Sequence, residues 1–337
     1  MTSVSASSKQ QAAVRVDFEY GPLREVIVGR PEGFRLPELS LAALAEYTRM
    51  LPKDDVDFLI KGQGRALVDY APEVAAGLAA QVEGLVCLLE GRGVIVHRPR
   101  PLNHAEELFP GFAFKSGSLF FMRDPILVIG HRIIDLAMRS HFRRRQRFAL
   151  REIIAGKSAH EDVQFLSMPE PLPVLPESGF GTSAFLEGGD VLLNGKEIYV
   201  GLSGNASSIS GAQWLQKLLG ADARVYVVKL ADRIQHLDCA LSIPRPGLVI
   251  ACTAALPEGL PGMLRDWDVI DVTYAEARRL ACNGLILDSN TYVMDRTHVR
   301  VAEALAAKDV NVISIPFDLP ARFGGGLRCA HHPLVRA

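Results

Sequence analysis

Residues 72–97, PEVAAGLAAQVEGLVCLLEGRGVIVH, hold a helix and then a strand. Pro72 suits a first helical turn, and Val74, Leu78, Val82, Leu85 and Leu89 recur at the spacing of one helix face. Gly91 and Gly93 stop the helix, and VIVH reads as a short strand. The same order returns in RRRQRFALREII with VQFLSM and in SGAQWLQKLLG with RVYVVKL. It returns again in LPGMLRDW with VIDVTY and in HVRVAEALAAK with VNVISIP. Between these units lie apolar, turn-punctuated stretches that read as hairpins: LFFMRDPILVIGHRIIDL, AFLEGGDVLLNGKEIYVGL, HLDCALSIPRPGLVIACT and CNGLILDSNTYVMD. A fifth hairpin forms if the C-terminal GGGLRCAHHPL joins the N-terminal LREVIVGR. Helix–strand units alternating with hairpins predict an α/β fold closed as a five-bladed, pseudo-symmetric α/β-propeller, each unit burying its face on its neighbours. The rival topology is a doubly wound parallel sheet.

The 337 residues supply ample core, with 48% hydrophobic and 22% charged content. Net charge is −1, which gives no electrostatic case for nucleic acid or an anionic membrane as partner. No uninterrupted apolar run approaches the roughly 18 residues of a membrane span. Residues 1–16, beginning MTSVSASSKQQAAVR, are Ser- and Gln-rich without the apolar core of a secretory signal, and are expected to be a disordered lead-in. With no Pro/Ser-rich linker, residues 17–337 are expected to form a single domain. Five scattered cysteines without CxxC spacing predict neither a disulfide framework nor a zinc ribbon; they fit a reducing cytoplasm, most of them as buried thiols.

Unusual polar residues sit at or near the start of each hairpin: Asp124 in FMRDP, Glu187 and Asp190 in FLEGGD, His236 and Asp238 in QHLDC, Asn283 in ACNGL, and Cys329 behind three glycines. Each alone has an ordinary explanation. Asp124 precedes Pro125 as a turn residue would, EGGD reads as a hairpin turn, and His236 and Asp238 share a strand face as a structural pair would. A lone buried cysteine is more often structural than reactive. Their recurrence at repeat-equivalent positions instead predicts convergence on one central cavity. Cysteine with histidine is the pairing of a thiolate nucleophile with its acid/base partner. Several carboxylates around one thiol suit a planar guanidinium, whose N–H forks they accept in a bidentate manner. Together these residues point to thiolate attack on an amidine-type carbon.

FMRDP, LEGGDVLLNG, VGLS, HLD and GGGLRC resemble the guanidino-group modifying enzymes of the pentein fold: arginine deiminases, dimethylarginine hydrolases and arginine-dependent amidinotransferases. The resemblance implies that Cys329 is the nucleophile, that His236 protonates the leaving amine and that Glu187 orients that histidine. It gives Asp124 and Asp238 the grip on the guanidinium and leaves Asp190 behind them. Asn283 and Arg139 are further candidates for substrate contact. No cofactor and no metal are implied, although the CAHH run at 329–332 offers the residue types of a metal site.

IIDLAMRSHFRRRQRFALREII, PRPGLVI and NTYVMDRTHV resemble the amidinotransferase branch, whereas EGGDVL with VGLS is similar to the hydrolases. ACTAALPEG lacks the arginine that the transferases use for a substrate carboxylate, leaving Arg139, Arg143 and Arg144 as candidates against a solvated basic helix face. The first expectation is an amidinotransferase acting on small molecules, an arginine donor and an amine acceptor. The alternative is a hydrolase of the arginine deiminase or dimethylarginine hydrolase kind that releases citrulline. A non-catalytic propeller binding protein ranks last, because a binder does not need Asp124, Glu187, His236, Asp238 and Cys329 together. Homo-oligomerisation is left open.

Overall fold

Every expected hairpin is present in the computed structural model, which describes residues 13–38, 51–109, 117–172, 181–231 and 233–337. Five three-stranded sheets share one plan, an antiparallel pair whose second strand runs parallel to a third. Ile126–Ile129 pairs with Arg132–Asp135 and then Gln164–Ser167. Val191–Asn194 pairs with Glu197–Leu202 and then Arg224–Lys229. Leu241–Arg245, Leu248–Ala251 and Asp268–Asp271 follow the same order, as do Leu285–Asp288, Thr291–Asp295 and Asn311–Ile315. The fifth sheet joins the chain ends: His331–Arg336 pairs antiparallel with Leu23–Val28, which runs parallel to Ile95–His97. All six residues of His331–Arg336 are buried, although the strand stands at the edge of its own sheet.

A parallel third strand requires a crossover, and helices supply it. Helix Pro72–Glu90 is, among the described residues, long and apolar enough to cross a membrane by length and composition. Its Leu78, Val82, Leu85 and Leu89 are instead fully buried in the core shared with Val26, Leu285 and Val293. Each such side chain contributes about 1.5–3 kcal/mol over an exposed one. Helices Ile209–Leu219 and Val299–Ala306 occupy the expected places. RRRQRFALREII begins as a 3-10 segment, His141–Leu150, before helix Arg151–Ser158. LPGMLRDW forms only the 3-10 turn Gly262–Asp266, because Pro257, Gly259, Pro261 and Gly262 deny it donors and helical backbone entropy.

One expectation needs correction. Residues 13–16 are not a loose lead-in: Val14 and Val16 are buried, and Arg15 and Val16 bond through their backbones to Leu334 and Gly130. Their spacing of two puts both valines on one extended face, a signal that the surrounding Ser/Gln content obscures. The rest of the expected lead-in lies outside the described residues. Most of the cysteines are buried as expected, with Cys87 alone of the five exposed. A two-stranded sheet, Arg30–Arg35 with Gly117–Leu119, was not anticipated because Pro31 and Gly33 weaken its strand pattern.

Gly29 donates its N–H to the Ala330 carbonyl where the terminal strands meet. A Cβ there would lie 1.7 Å from the Phe120 carbonyl oxygen. Gly29→Ala should therefore cost about 3 kcal/mol or more in chemical denaturation, at the upper end for overpacking. A loss below about 1 kcal/mol would mean that the junction yields.

Candidate active site

The polar residues stand just before the first strand of each sheet, and two of the turns are built alike. Glu187 is extended (φ −126°, ψ 138°) and leads into the 3-10 turn Gly188–Asp190. His236 is extended (φ −126°, ψ 162°) and leads into the 3-10 turn Leu237–Cys239. Asp190 ties the two turns together. Its Oδ1 accepts from the Leu237 N–H at 3.0 Å and its Oδ2 from the Ser207 N–H at 3.1 Å. Burial pushes Asp190 up to about 7 against the pull of His236 and these hydrogen bonds.

One group of side chains centres on His236. Its Nε2 lies 2.9 Å from Glu187 Oε2, and its Nδ1 lies 4.0 Å from Asp124 Oδ1. Glu187 Oε1 accepts from the Arg139 N–H, and Asp124 Oδ1 from the Gly189 N–H. A side chain at position 189 would place its Cβ 2.8 Å from both His236 Nδ1 and Asp124 Oδ1, so this close approach requires glycine. Burial alone would lower the His236 pKa, but Asp124, Glu187 and Asp190 override it and hold the imidazole well above its ordinary value. Burial would raise Asp124, yet His236, Arg143 and the Gly189 N–H bring it below the usual carboxylate range.

A second group surrounds Cys329. Its thiol lies 3.8 Å from Asp238 Oδ2, and the Cys239 thiol lies 3.5 Å from Asp238 Oδ1, so one carboxylate receives two thiols. The adjacent Cys329 thiol, with burial, pushes Cys239 far up and keeps it neutral. Asp238 Oδ2 also accepts from Arg328 Nη1 at 3.0 Å, while Arg328 grips Glu19 at 3.0 and 3.2 Å. The backbone ties the two groups, because Arg123 N–H donates to the Cys329 carbonyl.

Thus Asp124, Glu187 and His236 form one cluster, and Asp238 with Cys329 forms a second. Asn283 serves differently from the expected substrate contact. Its Oδ1 accepts from the N–H groups of both Arg328 and Cys329, and its Nδ2 donates to the Asp238 carbonyl. The amide is committed to the cysteine turn. Arg139 lines a cavity of about 370 Å³ with Thr182, Ser183, Phe185, Ser207 and Ser210. The solvated basic face is overturned: Arg144 and Arg145 are buried, and Arg143 Nη2 lies 2.8 Å from Asp124 Oδ2. Glu19, Cys239 and Arg328 escaped the sequence reading. Only Arg328 carried a local signal, its place beside Cys329.

Single ligand atoms of Asp124, Glu187 and His236 lie within 4.8 Å of one another, close enough to hold a metal ion. Arg143 already places a cation on Asp124, and His236 is held protonated, so this donor set does not suit a metal. In the CAHH run, His331 and His332 are buried, and burial together with Arg123 holds both well below their ordinary pKa. His331 faces Arg123 and the Leu327 carbonyl, and His332 faces the Arg123 carbonyl.

No protein-family profile matches the chain. It is 24% identical over 342 residues to inosamine-phosphate amidinotransferase 1 of Streptomyces griseus, covering 94% of this chain and 95% of that one. It is 22% identical to the mitochondrial glycine amidinotransferase of Xenopus tropicalis, covering 97% of this chain and 83% of that one. Among solved structures, SxtG, an amidinotransferase from Microseira wollei in the saxitoxin biosynthetic pathway, superposes with a TM-score of 0.81 at 22% identity. That match covers 96% of this chain and 97% of the other. Similarity in sequence and fold along nearly the whole chain supports a place among the guanidino-group modifying enzymes, the penteins. The relatives matched over nearly the whole chain are named as amidinotransferases.

The electrostatics predict that His236 is imidazolium at neutral pH, observable by its ring ¹⁵N shifts. Glu187→Gln removes a hydrogen-bonded anion and should lower the His236 pKa. Since the folded pKa exceeds the unfolded one, the associated stability is present below the unfolded pKa and is lost as pH rises through the folded value. The variant should show that loss at lower pH than wild type. An unmoved titration would mean that Glu187 does not control the imidazole.

Proposed function

We propose that the enzyme moves the amidino group of arginine to an acceptor amine through a covalent amidino-Cys329 intermediate. The observation that carries this reading is a carboxylate-held His236, kept protonated, in one group and a Cys329 thiol on Asp238 in the neighbouring group, the two joined through the Arg123 backbone. The Cys329 thiol releases its proton to solvent as the guanidinium binds, and the thiolate attacks the guanidinium carbon. The C–N bond to the ornithine side chain then breaks as His236 gives that amine a proton. The acceptor amine then attacks the amidino carbon, His236 takes its proton, and the C–S bond breaks to restore the thiolate. Asp124 and Asp238 hold the guanidinium, Glu187 orients His236, and Asp190 fixes the two turns. Arg139 stands at the edge of the site for a polar or anionic part of a substrate. The five sheets form the blades of one α/β-propeller domain, with residues 13–16 packed into it ahead of the expected start at 17, that acts on small molecules in the cytoplasm.

The curated relatives described above are amidinotransferases, which supports transfer over hydrolysis. Arginine as donor draws support from the fold relative ArgZ, an arginine dihydrolase, matched with a TM-score of 0.68 at 15% identity.

A transferase must keep water from its intermediate until an amine arrives. Arginine alone should therefore give an amidino adduct on Cys329, visible by intact-protein mass, and about one equivalent of ornithine before turnover stalls. An acceptor amine should clear it. Cys329→Ala should form no adduct while remaining folded. Steady citrulline release without any amine would establish the hydrolase instead.

A further inference from the structure

Four of the seven residues from Arg143 to Ala149 in the 3-10 segment His141–Leu150 are arginines, yet these arginines do different things. Arg144 donates to the Met138 carbonyl and packs over Phe185, and Arg145 donates to the Glu107 carbonyl. Arg143 turns to the site. Its Nη2 lies 2.8 Å from Asp124 Oδ2 and 3.1 Å from the Phe121 carbonyl, and its Nη1 lies 3.9 Å from Glu187 Oε2. Its Nε donates to Gln146. A guanidinium of the protein therefore rests on a carboxylate that the amidino-transfer reading gives to the substrate.

The other carboxylate of that pair, Asp238, also holds an arginine, but the two arginines are anchored unlike each other. Arg328 is 3% exposed and is held by Glu19, Asp238 and the Val191 carbonyl together. Arg143 is 17% exposed and, among the described residues, has one carboxylate at contact distance, with the Phe121 carbonyl and Gln146 as further hydrogen-bond partners. Two guanidinium groups cannot both occupy Asp124 at contact distance without strong like-charge repulsion. A donor must compete with Arg143.

We propose that Arg143 is the resident occupant of the guanidinium position on Asp124, and that a guanidino substrate binds by displacing it. This rests on the reading of Asp124 as the acceptor of the substrate guanidinium. Once displaced, the Arg143 guanidinium lies beside the entering molecule and can pair with an anionic group on it. Arg143 thus selects guanidino compounds that also carry a carboxylate or phosphate over bare guanidines, which must expel it without compensation. Apparent affinity falls by the fraction of protein in which the position is open, so nine-tenths occupancy weakens binding about tenfold.

Calorimetric titration of Cys329→Ala protein, with and without Arg143→Gln, tests this using guanidinium ion and arginine as probes. The Gln variant should bind guanidinium ion about tenfold more tightly, with a smaller gain or a loss for arginine, which forfeits its carboxylate partner. Arg143→Met, similar in length and uncharged, replaces the Gln variant if that protein does not fold. Guanidinium binding that is unchanged or weaker in a folded variant overturns the proposal and makes Arg143 a support for Asp124. Ornithine formation by the unaltered enzyme reports separately on arginine as donor. Its absence alongside tighter guanidinium binding sinks the donor and keeps the displacement, while ornithine with unchanged guanidinium binding sinks the displacement alone.

Discussion

The buried guanidinium of Arg328 is the interaction around which the centre of this protein is arranged. Taking such a charge from water is costly, and it is tolerated only when fully paired and hydrogen-bonded. Glu19 grips it from just before the first strand, Asp238 from the third-sheet turn, and Val191 through its carbonyl from the second hairpin. Its own N–H and that of Cys329 share the Asn283 Oδ1. Losing the arginine would strand two buried carboxylates, a defect of about 3–5 kcal/mol for a broken buried pair. It would also release the turn that carries the thiol. Stability and the placement of Cys329 are therefore one constraint.

Charge balance explains the rest of the site. Four buried acids, Asp124, Glu187, Asp190 and Asp238, converge where His236, Arg143 and Arg328 supply the cations. The acids do not behave alike. Asp124 is drawn below its usual range by nearby positive charge, whereas burial dominates at Asp190 and pushes it up to about 7. His236 remains protonated because the surrounding anions outweigh its desolvation. Such opposed shifts separate a group suited to donate a proton from groups suited to hold a cation. Cys239, sharing Asp238 with Cys329, stays a neutral thiol because a second negative charge there would have no partner.

Much of the fold was legible in the sequence because it depends on local period and punctuation. The helical spacing from Val74 to Leu89, the strand after Gly93 and the hairpin runs are written within windows of about twenty residues. Joining GGGLRCAHHPL to LREVIVGR was an inference from counting units, and the pairing of His331–Arg336 with Leu23–Val28 agrees with it. The exceptions have local causes too. Prolines and glycines reduce LPGMLRDW to a single 3-10 turn, and Val14 and Val16 join the core despite their polar surroundings.

By itself the sequence determined the repeating order of helix, strand and hairpin and the positions at which polar residues interrupt apolar strands, because side-chain period and turn chemistry act between near neighbours. Tertiary structure alone decided the partners. Glu19 and Arg328 are 309 residues apart, and Cys239 meets Cys329 over one carboxylate from another sheet. Asn283 holds backbone rather than facing a substrate, and Arg143 leaves its basic run to sit on Asp124. No local pattern encodes these choices. They follow from burying several charges in one centre, where each must find an opposite charge or a hydrogen bond from whichever segment the fold brings within reach.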